Sequence, residues 1–110
     1  GGNEMQTLFH TEIYKGFLIR VYALPESSAP EDSLPENDCA GIRNGEYLWF
    51  MAKVSAFRNG VHLADDYLGG CCYQSARDFI DPESYYGDMR ENVVNEANAV
   101  IASLSIPEES

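Results

Sequence analysis

A chain of 110 residues has room for one domain, and with 45% apolar and 12% aromatic residues it can build a core, which excludes global disorder. Eighteen acids against seven bases leave a formal charge of −11, a field that repels nucleic-acid phosphates and anionic membranes and favours cationic partners. No apolar run approaches the roughly 18 residues that cross a bilayer, and the N-terminal residues lack the basic-then-apolar pattern of a secretory signal.

With residues 1–2 set aside, a single α+β domain is expected over residues 3–106. Its first segment, Gln6 to Tyr14, alternates: Thr7, Phe9, Thr11 and Ile13 point one way, and Leu8, His10, Glu12 and Tyr14 the other. Lys15-Gly16 reads as a turn, and Phe17 to Leu24 is β-branched and aromatic, so the two segments form a hairpin. Pro25 to Gly45 follows, broken by Pro25, Pro30 and Pro35. It carries Glu26, Glu31, Asp32, Glu36 and Asp38 ahead of its first base, Arg43. Prolines remove backbone donors and the acids resist burial, so an acidic, mobile loop is expected over residues 25–45.

Glu46 to Arg58 gives the strongest strand signal, with Leu48, Phe50, Ala52, Val54 and Ala56 on one face. Asn59-Gly60, suited to a type I′ turn, leads into a partner strand from Val61 to Leu68 that ends at Gly69-Gly70. Ser75 is placed to cap a short helical turn through Asp78. Asp81 as N-cap with Pro82 at the first helical position then starts a helix running to Leu104, with Pro107 as its stop. Its apolar stripe is Tyr86, Met89, Val93, Ala97, Val100 and Leu104, widened by Val94 and Ile101. Two hairpins followed by a helix predict a four-stranded antiparallel sheet in ββββα order, packed on one face by the helix.

One helix covers one face of such a sheet. Phe9, Ile13, Phe17, Ile19, Val21, Phe50, Val54, Val61 and Leu63 are expected beneath it. The other face then carries Leu18, Tyr22, Leu24, Trp49, Met51 and Phe57, interrupted by Arg20, Lys53 and Ser55. Tyr, Trp and Met are enriched in interface cores, so this face is a candidate binding surface unless the acidic loop folds over it.

Motifs of catalysis are missing. Cys39, Cys71 and Cys72, an odd set with an adjacent pair, make a poor disulfide framework and point to a reducing, cytoplasmic setting. A reactive thiolate needs a base or a positive field, whereas His10 and His62 are remote in sequence and the surroundings are acidic. No metal-ligand spacing or phosphate-binding glycine loop is present, and Asp65 and Asp66 fall on opposite sides of their strand. No catalytic residue, metal or cofactor is therefore nominated.

The order of strands followed by a helix is similar to that of the double-stranded RNA-binding fold. That family's basic helix start and basic loop are absent here, where Glu83, Asp88 and Glu91 occupy the helix, so nucleic acid is excluded as a partner. In size and charge the chain resembles accessory proteins of phages, prophages and plasmids, some of which imitate the charge of DNA to engage basic host proteins. The expected function is a small, acidic, non-enzymatic protein-binding module. It would bind a basic partner through Tyr22, Trp49, Met51 and Phe57 on the sheet and Glu31, Asp32, Glu36, Asp88 and Glu91 around it. Two alternatives stand beside it: an enzyme or ligand-binding domain with a pocket near Gly69 to Tyr73, and a homodimer joined through the sheet face.

Overall fold

The computed structural model describes residues 6–104. Strands β1 (Thr7–Tyr14), β2 (Phe17–Pro25), β3 (Leu48–Arg58) and β4 (Val61–Tyr73) form one antiparallel sheet in the order β1-β2-β3-β4. Helix α1 (Glu36–Arg43) lies between β2 and β3, and α2 (Tyr85–Leu104) packs against β3 and β4. The expected α+β architecture, two hairpins closed by a C-terminal helix, is the one formed. Both hairpin turns have positive φ at their two central residues, 51° and 84° at Lys15-Gly16 and 53° and 79° at Asn59-Gly60, as type I′ turns require.

The core lies between the sheet and α2. Phe17, Ile19 and Val21 of β2 and Phe50, Ala52, Val54 and Ala56 of β3 are buried beneath Tyr86, Met89, Val93, Val94 and Ala97 of α2. Burying a side chain such as Val93 or Ile19 stabilises by about 1.5–3 kcal/mol, so this stripe holds the helix far more strongly than its intrinsic propensity does.

A β-bulge changes the expected parity of β1. Leu8 pairs with Tyr22 and His10 with Val21, which leaves Phe9 as the extra residue. Phe9 turns into the core, with its ring centroid 6.2 Å from that of Phe50 and 6.4 Å from that of Phe79. Beyond the bulge His10, Glu12 and Tyr14 pair with Val21, Ile19 and Phe17 on the helix side, and Ile13, paired with Leu18, is 71% exposed. Ile13 is therefore not a core residue. Neither is Val61, which lies beside the hairpin turn and is exposed, although Leu63 packs on the core from a second irregularity in β4.

Three boundaries also move. β4 continues to Tyr73 because Gly69-Gly70, two residues opposite Met51, form a bulge and do not end the strand. Within residues 25–45 the chain forms a 3-10 turn, Pro30–Asp32, and then α1. Pro35 caps α1 with φ −63°, Glu36 and Asp38 stand in its first turn and Arg43 in its last, all complementing the helix dipole. α2 begins at Tyr85 and not at Pro82. Asp81 does accept the Glu83 N–H at 3.0 Å, but the Pro82 carbonyl folds over Gly87 so closely that a Cβ there would stand 1.8 Å from it. Residues 81–84 thus form a separate turn laid against the first turn of α2.

The short turn Ala76–Phe79 has no side-chain cap from Ser75, and it buries Phe79. Leu104 ends α2 68% exposed. Pro107 and residues 3–5, 105 and 106 lie outside the described residues, among which no helix is long and apolar enough to cross a membrane.

Candidate functional site

Tyr22, Trp49, Met51 and Phe57 share the sheet face away from α2, each half-buried. Their surroundings divide the surface into cation–aromatic pairs. The Arg20 guanidinium lies 4.7 Å from the Phe57 ring centroid, and Lys53 Nζ lies 5.4 Å from that of Tyr22 and 5.9 Å from that of Tyr67. Trp49 Nε1 donates to the Ser28 carbonyl at 2.9 Å, and Glu26 accepts the Gly70 N–H at 2.7 Å. The chain after β2 thereby straps one end of the face, and Lys53 donates to Gln6 Oε1 at 3.3 Å farther along it.

At the centre of this face Ser55, 1% exposed, donates to Asp65 Oδ1 at 2.5 Å, and His62 Nε2 lies 2.7 Å from the same oxygen. The carboxylate stands between the hydroxyl and the imidazole. A hydrolytic triad needs the imidazole in the middle, so this trio does not activate Ser55 as a nucleophile.

The nominated acids separate into two groups. Glu31 and Glu36 hold Arg43 at 3.3 and 2.5 Å, while Glu91 accepts from Lys15 at 2.6 Å and from Tyr14 at 2.7 Å. Asp32 and Asp88 are exposed and form no side-chain ion pair among the described residues. The same holds for Glu96, which shares the acidic face of α2 with Asp88, and for Glu46, Asp78 and Glu83.

Glu91 belongs to a polar seam between β1 and α2. Glu12 accepts from the Tyr86 hydroxyl and from Arg90 Nη1 (3.1 Å), His10 Nε2 lies 3.1 Å away, and Arg90 stacks 3.7 Å over the Tyr14 ring. Burial alone would raise the Glu12 carboxyl. The hydrogen bonds from Tyr86 and His10 and the Arg90 charge outweigh it and hold the group below its ordinary range.

A cleft of about 420 Å³ opens between α1, the end of β4 and the start of α2. Its walls include Leu34, Asp38, Tyr47, Leu68, Tyr73 and Tyr85, and residues 69–72 also border it. Tyr47 is fixed from below. Its ring lies on Gly41 of α1, where a Cβ would stand 2.3 Å from a ring carbon, and the Glu46 and Tyr47 amides both donate to the Gly41 carbonyl. Glycine costs a helix interior about 1 kcal/mol relative to alanine, and this close approach is what requires it.

All three thiols are held above the ordinary thiol range. Burial pushes Cys71 up to about 11; burial followed by the Asp38 charge raises Cys72, and burial followed by Glu31 and Glu36 raises Cys39. Among the described residues no three His, Cys, Asp or Glu side chains gather to hold a metal ion. Compared with protein-family models, curated proteins and solved structures, the chain matches none.

Proposed function

We propose that this chain is a protein-binding module that presents an acidic surface to a basic partner. The observation that carries this reading is how the bases are used. Lys15, Arg43 and Arg90 are ion-paired within the fold, and Arg20, Lys53 and Arg58 lie over aromatic rings. Of the seven bases only Arg77 has no side-chain partner among the described residues. Asp32, Glu46, Asp78, Glu83, Asp88 and Glu96 are exposed and have no counter-ion among the described residues, so uncompensated negative charge stands on the surface. Such a field accelerates and selects encounters with cationic surfaces.

The experiment is capture from the native host's lysate, read by mass spectrometry, at about 0.1 M and about 1 M salt, where the screening length falls from about 10 to about 3 Å. A basic protein should be the main species at low salt, disappear at high salt, and be lost to an Asp32→Asn, Glu83→Gln, Asp88→Asn, Glu96→Gln variant. Capture that is indifferent to both salt and variant overturns the proposal.

The cleft beside Gly69 to Tyr73 favours a second reading, a domain that binds a small ligand there. Its size falls in the range of about 300–1,000 Å³ common for ligand sites. Equilibrium dialysis against pooled host metabolites would test it, and a retained small molecule released by Tyr85→Ala would place the function in the cleft.

A further inference from the structure

We infer that the cleft between α1 and the end of β4 receives one lysine or arginine side chain of a protein partner, with Asp38 as its counter-charge and the tyrosines as its walls. This rests on the acidic-surface reading and gives that surface a point of register. The cleft walls hold one carboxylate, three phenols and no base. The base on α1, Arg43, is already committed to Glu31 and Glu36. An anionic ligand would find no counter-charge here, and a wholly apolar one would desolvate Asp38 and the phenol oxygens without replacing their hydrogen bonds. A metal ion would need more ligands than the cleft's single carboxylate supplies.

A long basic side chain meets each of these conditions. Its methylenes match Leu34 and Leu68, and its head group can reach both a carboxylate and the faces of aromatic rings. The field in the cleft has the required sign. Beyond the effect of burial, Asp38 pushes the Cys72 thiol up. The walls are set in advance: Tyr47 is locked on Gly41, and Glu26 holds the Gly70 amide. Less ordering therefore remains to oppose binding.

The test is an amide-resolved NMR titration of the full chain with three capped tripeptides, Gly-Lys-Gly, Gly-Arg-Gly and Gly-norleucine-Gly. The third keeps the stem and lacks the charge. The two basic peptides should shift amides at residues 34–47, 68–73 and 85, and the norleucine peptide should not. Asp38→Asn and Tyr85→Ala, a half-buried and an exposed position, should each weaken the basic peptides by about fivefold while leaving the remaining spectrum folded. Equal shifts with norleucine, or basic-peptide binding unchanged in both variants, overturn the inference. So does a response confined to the exposed acids of α2, which leaves the acidic-surface reading standing. That broader reading fails separately, if lysate capture is indifferent to both salt and the fourfold acid variant.

Discussion

At the residue scale, Glu12 has the most consequential environment. It joins Tyr86 and Arg90 of α2 to the edge strand, and its carboxyl titrates below its ordinary value of 4.5. A group whose folded pKa is depressed binds its proton less tightly in the folded state than in the unfolded chain. Its contribution is complete above about pH 4.5 and is lost as pH falls through the lower, folded value. Glu12→Gln should cost about 1–3 kcal/mol at neutral pH, because Arg90 and Tyr86 lose a charged acceptor. The variant should then lose less than wild type as the pH falls, so the gap between them narrows. Urea unfolding at about pH 7 and about pH 3.5 measures both values. Parallel losses would remove Glu12 from the acid response. The cysteines give the opposite kind of prediction. With Cys71 pushed up to about 11 and Cys39 and Cys72 also raised, the thiols are protonated near neutrality. Thiol labelling of the folded chain should be slow, and a Cys39→Ser, Cys71→Ser, Cys72→Ser variant should fold at a modest packing cost. Fast labelling of Cys39 or Cys71 would contradict the burial described here.

At the level of elements, the contact between Gly41 and Tyr47 can be isolated by a pair of substitutions. Gly41→Ala gains about 1 kcal/mol of helix propensity but drives a methyl group into the Tyr47 ring, where overpacking costs about 1–3 kcal/mol, so the single variant should be net destabilised. In a Tyr47→Ala background the clash is gone, and the same substitution should stabilise. A double-mutant cycle in urea reads the sign change, and two effects of the same sign would show that Tyr47 does not rest on Gly41. The same pair shows where the sequence was legible. Alternation in Phe17 to Leu24 and Leu48 to Arg58, the turn dipeptides and the stripe Tyr86 to Ala97 all carried their elements, because each is a repeated local pattern tied to one buried face. The bulge at Phe9 is one residue long and reverses every side chain after it, which no alternation reveals in advance. Helix α1 was hidden because Pro35 reads as a loop breaker while it in fact starts the helix, and Gly41 lowers the helical signal for a reason that exists only once Tyr47 has folded back. The start of α2 is displaced from the position that Asp81-Pro82 suggests because the Pro82 carbonyl turns back over Gly87, a close approach that no side-chain pattern announces. The cleft itself draws on three separate elements; only its β4 side, Gly69 to Tyr73, had a signal in the chain.

For the whole molecule, the balance of charge and exposed aromatic surface sets how copies meet each other and how they meet a partner. Raising salt weakens the exposed pairs Lys15–Glu91 and Arg43–Glu36, worth about 0–1 kcal/mol each. It also screens the mutual repulsion of an excess of eleven negative charges, most of it on the surface, and that larger effect should win. Between copies the same repulsion opposes contact, although the sheet face bearing Tyr22, Trp49, Met51 and Phe57 has the composition of an interface core. We expect self-association through this face to strengthen as salt rises from about 0.1 to about 1 M, while binding of a basic partner weakens over the same range. Trp49 is a poor probe of this face because its indole is tied to Ser28, so removing it would also release the strap. Tyr22→Ser with Met51→Ser is cleaner, since both lie half-buried on the sheet face away from α2 and neither belongs to the core. Sedimentation across the salt series should show wild type moving toward dimer and the double variant remaining monomeric. A wild type that stays monomeric throughout would leave the face without a role in self-association. A dimer indifferent to the double substitution would place the contact on another surface.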